Sequence, residues 1–136
     1  MALRYWVGGS ATWDATAGAK WALTSGGAGG QAVPTAADDV FLDAASGAVT
    51  VTVSGSQTAK SITCTGFTGT LEGTATPILT VAGSCTFVAG MTYSATGPAL
   101  VISATGTLTS GGKTIPGGPS LTVTGGTCTL GDALTL

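Results

Sequence analysis

The run Ile78-Leu79-Thr80-Val81 returns twice along the chain, as Leu100-Val101-Ile102 and as Leu121-Thr122-Val123. The leucines of the three runs follow one another at equal intervals, and so do the β-branched residues two positions after each leucine. A second short run follows each of them, the first at Cys85-Thr86-Phe87. Alternating apolar and polar residues are typical of a strand with one buried face. The sequence therefore predicts a repeat that contributes two strands per unit.

The interval between the leucines, about 21 residues, is the length of one β-solenoid coil. A single coil cannot bury its own apolar face, whereas coils stacked about 4.8 Å apart share one core and pair strand to strand. We therefore predict an all-β protein, a right-handed parallel β-helix (β-solenoid) over residues 46–136 that begins with the alternating run Val49-Thr50-Val51-Thr52-Val53. A β-sandwich of short strands joined by glycine turns is the alternative.

The composition leaves little material for chemistry. The 136 residues include no His, four Lys+Arg and six Asp+Glu, so that charged residues make up 7%. Acid–base catalysis and most metal sites need such side chains, and nucleic-acid binding needs cations. No run approaches the length of a transmembrane helix. We therefore expect a protein that is not an enzyme, takes no cofactor and binds neither nucleic acid nor membrane.

Residues 1–45 differ in composition from the rest of the chain and are predicted to form a capping and anchoring module. They hold most of the aromatic residues, namely Tyr5, Trp6, Trp13, Trp21 and Phe41. Large rings can close the end of an apolar core that would otherwise face water. The favoured interpretation is therefore a cap, and docking to a partner through the same residues is an additional role for its outer face.

Two further expectations concern the predicted solenoid of residues 46–136. Cys64 and Cys85 are separated by the same interval as the leucines, which predicts that they follow one another in an inward ladder with Gly106 next, as free buried thiols rather than as a disulfide. The run Ala133-Leu134-Thr135-Leu136 stops within an apparent strand. An uncovered solenoid end exposes strand edges and core, so we expect a longer native chain or a partner at this end.

The opening segment resembles one found at the start of many phage-encoded virion and tail-fibre-like proteins. The resemblance is carried by Arg4-Tyr5-Trp6-Val7-Gly8-Gly9, Thr12-Trp13-Asp14, Lys20-Trp21, Ser25-Gly26-Gly27, Val33-Pro34 and Asp38-Asp39-Val40-Phe41-Leu42-Asp43. A looser version of the pattern is similar to the first coils of bacterial autotransporter passengers. Both resemblances imply a β-helical shaft or surface element and supply no catalytic residues.

The phage resemblance is preferred because no apolar signal-peptide region follows Arg4. It implies a fibre, tail, neck or capsid-decoration component of the virion, assembled in the host cytoplasm. Its implied partners are other virion proteins of the capsid, neck or tail. It also implies a homo-oligomer, and phage β-helices often form trimers. A bacterial surface adhesin or an autotransporter-passenger fragment is the alternative function.

Three motifs invite a chemical interpretation. Ser110-Gly111-Gly112-Lys113-Thr114 is similar to a phosphate-binding loop, but it lacks the earlier glycine, and Ile115-Pro116-Gly117-Gly118-Pro119 cannot begin the required helix. Asp38, Asp39 and Asp43 are weak candidate Ca²⁺ ligands, without the spacing of a calcium loop. Glu72 and Asp132 are too far apart in sequence to act as a glycosidase pair. We favour a turn, turn-capping carboxylates and no catalytic pair.

Hydroxyl side chains recur along the predicted strands and could in principle bind a flat, repeating surface. The residues are Thr63, Thr65, Thr80, Thr86, Thr107, Thr109, Thr122 and Thr124. We interpret them as the solvated outer faces of the strands, because every half-buried strand needs one polar face.

Overall fold

The computed structural model describes residues 2–115 and 121–136, and these residues form a parallel β-solenoid. Its strands are β1 (Leu3–Trp6), β2 (Ala11–Trp13), β3 (Trp21–Ala22), β4 (Asp39–Phe41), β5 (Thr50–Ala59), β6 (Ser61–Thr63), β7 (Thr70–Val81), β8 (Cys85–Thr86), β9 (Thr92–Tyr93), β10 (Ala99–Ile102), β11 (Gly106–Thr109), β12 (Leu121–Val123) and β13 (Cys128–Leu130). A short 3-10 turn, Ala44–Ser46, follows β4.

The strands form two sheets that run along the axis of the solenoid. The first sheet has the order β3-β1-β4-β6-β8-β11-β13, and the second has the order β2-β5-β7-β10-β12, with β9 also beside β7. Among the described strands, all pairs are parallel except β1 with β3. Neighbouring strands therefore come from successive coils, as a solenoid requires, and not from the antiparallel hairpins of a sandwich. The predicted solenoid is confirmed.

The predicted repeat is confirmed in the second sheet. Leu79 pairs with Leu100 and Leu100 with Leu121, and the β-branched residues two positions later also pair in register. The first sheet has a longer spacing: Ile62 pairs with Cys85, Cys85 with Leu108, and Leu108 with Leu130. Along these two ladders, the paired positions are thus 22 or 23 residues apart on the first sheet and 21 residues apart on the second.

The longer spacing makes the predicted ladder of Cys64, Cys85 and Gly106 wrong. Cys85 pairs with Ile62 and not with Cys64, which lies two positions further along the chain. The position after Cys85 in the ladder is Leu108, and Gly106 pairs with Cys128 instead. Cys64 and Cys85 are nevertheless both buried free thiols. Burial raises the pKa of each, because the thiolate would lose its hydration.

The long strands β5 and β7 bend around a corner of the solenoid. At this corner the ladder passes from Ser54–Thr74 to Ser56–Ile78, so that one residue of β5 faces three residues of β7. Ala75 and Thr76 reach the bend with φ of 55° and 54°. Left-handed backbone costs about 1–2 kcal/mol for a residue with a Cβ. The corner is therefore strained, and it absorbs a difference in length between adjacent coils.

A single apolar core runs between the sheets. Inward positions of consecutive coils are fully covered, for example Val51, Leu71, Leu79, Leu100 and Leu108, each with 0% of its surface exposed. Burying such a side chain contributes roughly 1.5–3 kcal/mol. Because each position lies above its counterpart in the next coil, the core is continuous from the first coil to the last.

The burial of the cysteines can be tested through thiol reactivity. We expect a maleimide to label Cys128, which is half-buried, before Cys64 and Cys85 in dilute native protein, since the other two thiols are buried and poorly ionised. Mass spectrometry of peptides over time measures the order, and labelling in urea is the control. Early labelling of Cys64 or Cys85, or a disulfide between them under native conditions, would contradict the burial of these two thiols in the core.

Candidate functional site

The three tryptophans of residues 1–45 form a closed aromatic cluster inside the first coil. Trp6, Trp13 and Trp21 have no exposed surface. Trp21 packs edge-to-face against both of the others, with ring centroids 5.0 Å from Trp6 and 5.1 Å from Trp13. Such geometry suits the ring quadrupoles and adds about 0.5–1.5 kcal/mol per pair to area burial. The cluster fills the end of the apolar core at β2 and β3, the terminal strands of the two sheets.

Strand pairing and hydrogen bonds attach this cluster to the shaft. Trp6 pairs with Trp21 between β1 and β3, and Trp13 pairs with Val53 between β2 and β5. The Trp6 indole N–H donates to the Gly9 carbonyl (2.8 Å), and the Ser46 hydroxyl donates to the Trp6 carbonyl (2.9 Å). Within the described residues, the indole N–H groups of Trp13 and Trp21 have no hydrogen-bond partner. The cluster is thus held mainly by packing, and its rings are inaccessible to any partner.

Tyr5 and Phe41, the other two predicted residues, lie on the outside of two successive coils. They pair between β1 and β4, and their rings stack with centroids 4.5 Å apart and planes 13° from parallel. Leu3, 42% exposed, is two positions before Tyr5 and pairs with Asp39. We call Leu3, Tyr5, Asp39 and Phe41 the outer aromatic face. Since each ring covers one side of the other, ring edges and outer sides are what the pair has available for contact.

The charged residues of the module fix its loops. Arg4 donates from Nε to the Ala32 carbonyl (2.8 Å). Lys20 donates from Nζ to the Thr12 carbonyl (2.6 Å) and to Asp14 (2.8 Å). The hydrogen bond from Lys20, together with the Thr16 amide, holds the pKa of Asp14 below its usual value. These side chains order the turns around the tryptophans.

Each of the three candidate calcium ligands serves a different structural contact. Asp38 accepts from the Thr35 amide and the Ala2 amide, both at 2.9 Å. Asp39 accepts from the Ser61 hydroxyl at 2.6 Å. Asp43 caps the 3-10 turn by accepting from the amides of residues 45 and 46. In the part of the chain that the structure describes, no group of three or more His, Cys, Asp or Glu residues is arranged to hold a metal ion.

Asp38 is the most buried of these carboxylates, with 6% of its surface exposed. Burial acts to raise its pKa, but the hydrogen bonds from Thr35 and Ala2 and the nearby Arg4 charge outweigh it and lower the pKa below its usual value. Asp38 therefore ties the chain start to the turn before β4 while it remains ionised.

The loop Ser110-Gly111-Gly112-Lys113-Thr114 forms a turn whose amides are already occupied. Asp132, from the next coil, accepts from the Ser110 amide (2.6 Å) and the Gly111 amide (2.8 Å). Gly111 has a φ of 61°, and a Cβ there would contact the Phe87 carbonyl oxygen at 2.7 Å. Lys113 donates to the Ala89 carbonyl at 2.9 Å. The carboxylate thus fills the place that a phosphate would need; residues 116–120, on which part of the sequence argument rested, lie outside the described residues.

This role of Asp132 was missed at the sequence level, where it was considered only as a partner of Glu72. The two residues belong to different contacts: Glu72 lies on β7 and accepts from the Thr52 hydroxyl at 2.9 Å. The amides of Ser110 and Gly111 lower the pKa of Asp132. The signal that could have found the contact is the distance of 22 residues between Ser110 and Asp132, one coil of the first sheet.

Of the candidate threonines, three form a continuous row on the first sheet. Thr63 pairs with Thr86, and Thr86 with Thr109, in three successive coils. On the second sheet Thr80 and Thr122 are separated by Val101. The threonines of the first sheet occupy the outward positions beside the buried residues Ile62, Cys85 and Leu108, as a strand with one polar face requires.

Comparison with known proteins adds no relative: no family model, no curated protein and no solved structure matches this chain. Among residues 2–115 and 121–136, no helix has the length and apolar character needed to cross a membrane.

The importance of the tryptophan cluster can be measured by truncation. We expect Trp21→Ala to lower the free energy of unfolding by about 3–5 kcal/mol, because it removes a fully buried ring and both edge-to-face contacts. Urea denaturation followed by circular dichroism measures the change. Leu23→Ala is the matched control, since Leu23 is 49% exposed, and it is expected to stay within about 0.5 kcal/mol of the parent. Equal effects of the two substitutions would refute the cap.

The contribution of Asp38 should depend on pH. Because its pKa in the folded protein lies below the ordinary 3.8, ionised Asp38 stabilises the fold above that value, and the contribution is lost as the pH falls through the lowered pKa. We expect Asp38→Ala to cost about 1–3 kcal/mol at pH 7 and less at strongly acidic pH. Urea denaturation of both proteins across this range tests it; a difference that does not change with pH would contradict the assignment.

Proposed function

We propose that this chain is a structural component of a bacteriophage virion, a rigid β-solenoid shaft anchored through its N-terminal module. The observation that carries the proposal is the continuous ladder of coils whose core is closed at one end by three fully buried tryptophans. A ladder of this kind resists bending, because each coil is hydrogen-bonded to the next on both sheets. Such a shaft holds a surface at a fixed distance from its attachment point.

The ionisable side chains support a structural role. All six carboxylates accept hydrogen bonds from their own chain; they are Asp14, Asp38, Asp39, Asp43, Glu72 and Asp132. The four cations contact carbonyls or carboxylates of the chain. A catalytic acid or base needs a carboxyl group placed to meet a substrate. Here these groups join coils and turns, which is the work of a scaffold.

The outer aromatic face is our candidate for the anchor. The tryptophans are excluded from contact by their burial, so that Tyr5 and Phe41 are the members of the aromatic set that a neighbouring protein could touch. Leu3 adds exposed apolar surface beside them, and Asp39 adds a carboxylate. Aromatic residues are enriched at protein interfaces because one ring buries a large area at little entropic cost. The partner we propose is another virion protein, of the capsid, neck or tail.

The resemblance of Arg4–Asp43 to the opening segments of phage virion proteins supports the phage setting. The motif residues build the capped first coil and the start of the next coil: Trp13 and Trp21 lie in the cluster, and Asp38 and Asp43 cap turns. Residues of this motif form the beginning of a solenoid. Such a solenoid could serve as a shaft on a virion or on a bacterial surface. The bacterial adhesin therefore remains the alternative function. Whether the chain is found in the virion or on the bacterial surface decides between the two functions.

The presence of this chain in the virion can be measured directly on purified phage particles. Virions of the phage whose genome encodes this chain would be purified on a density gradient, analysed by mass spectrometry and imaged by cryo-electron microscopy. We expect the chain in stoichiometric amount, with density for stacked coils and with Tyr5 and Phe41 against a capsid, neck or tail protein. Absence from the particle, with the chain displayed on the bacterial surface, would overturn the proposal in favour of the adhesin.

The anchor itself is tested by substitution in the same phage. We expect Phe41→Ala with Tyr5→Ala to reduce incorporation into virions at least tenfold while circular dichroism of the purified variant stays that of the parent, since both rings are only half-buried. Thr86→Ala is the matched control, because it lies outward on the same sheet two coils away and is expected to incorporate normally. Normal incorporation of the double variant would place the anchor elsewhere.

A further inference from the structure

We draw no further inference here: the strongest candidate, the outward row of Thr50, Thr70 and Thr92 that pair in register across β5, β7 and β9, carries nothing, because nothing in the described part of the structure shows what would bind this sheet face.

Discussion

The parallel hydrogen-bond ladder between coils is the interaction on which the rest of the structure depends. A coil of about 21–23 residues has too little apolar surface to form a core of its own. Each coil is stable because it rests on a neighbour, which pairs its strands and covers its inward side chains. The ends of the ladder are then the positions where this support stops. One end is closed by Trp6, Trp13 and Trp21, and the other presents Val123 and Leu130 to solvent.

Charged residues are few, and they are placed where the ladder needs help. Asp132 joins two coils through the amides of Ser110 and Gly111, and Asp39 accepts from Ser61 in the following coil. Asp38 secures the beginning of the chain through the Ala2 amide. Hydrogen bonds to an ionised acceptor are stronger than neutral ones, so that a small number of carboxylates can order several turns. Because charged residues are so few, the polar groups on the outer faces of the strands are mainly threonine and serine hydroxyls.

Sequence reasoning predicted the solenoid because the spacing of Leu79, Leu100 and Leu121 equals one coil in the second sheet. It mispredicted the Cys64–Cys85 ladder because Ile62, Cys85 and Leu108 pair at intervals of 23 residues rather than 21, and the turn lengths that set this difference leave no periodic signal. The sequence groups the aromatic residues of the module together, but the pattern alone does not separate the buried Trp21 from the outward Phe41. The contact of Asp132 depends on three-dimensional stacking, which only becomes readable once the register is known.

The corner between Thr74 and Ile78 has a consequence for how such a shaft can change. Three residues of β7 lie there opposite the single Gly55 of β5, yet the pairs on both sides of the corner stay in register. Residues 74–76 are exposed to solvent, so their number is not constrained by the core. Evolution can therefore lengthen this bend by small steps without disturbing either sheet. A family of such shafts could keep one scaffold and diversify a projecting loop, in the way that antibodies keep a framework and vary their binding loops.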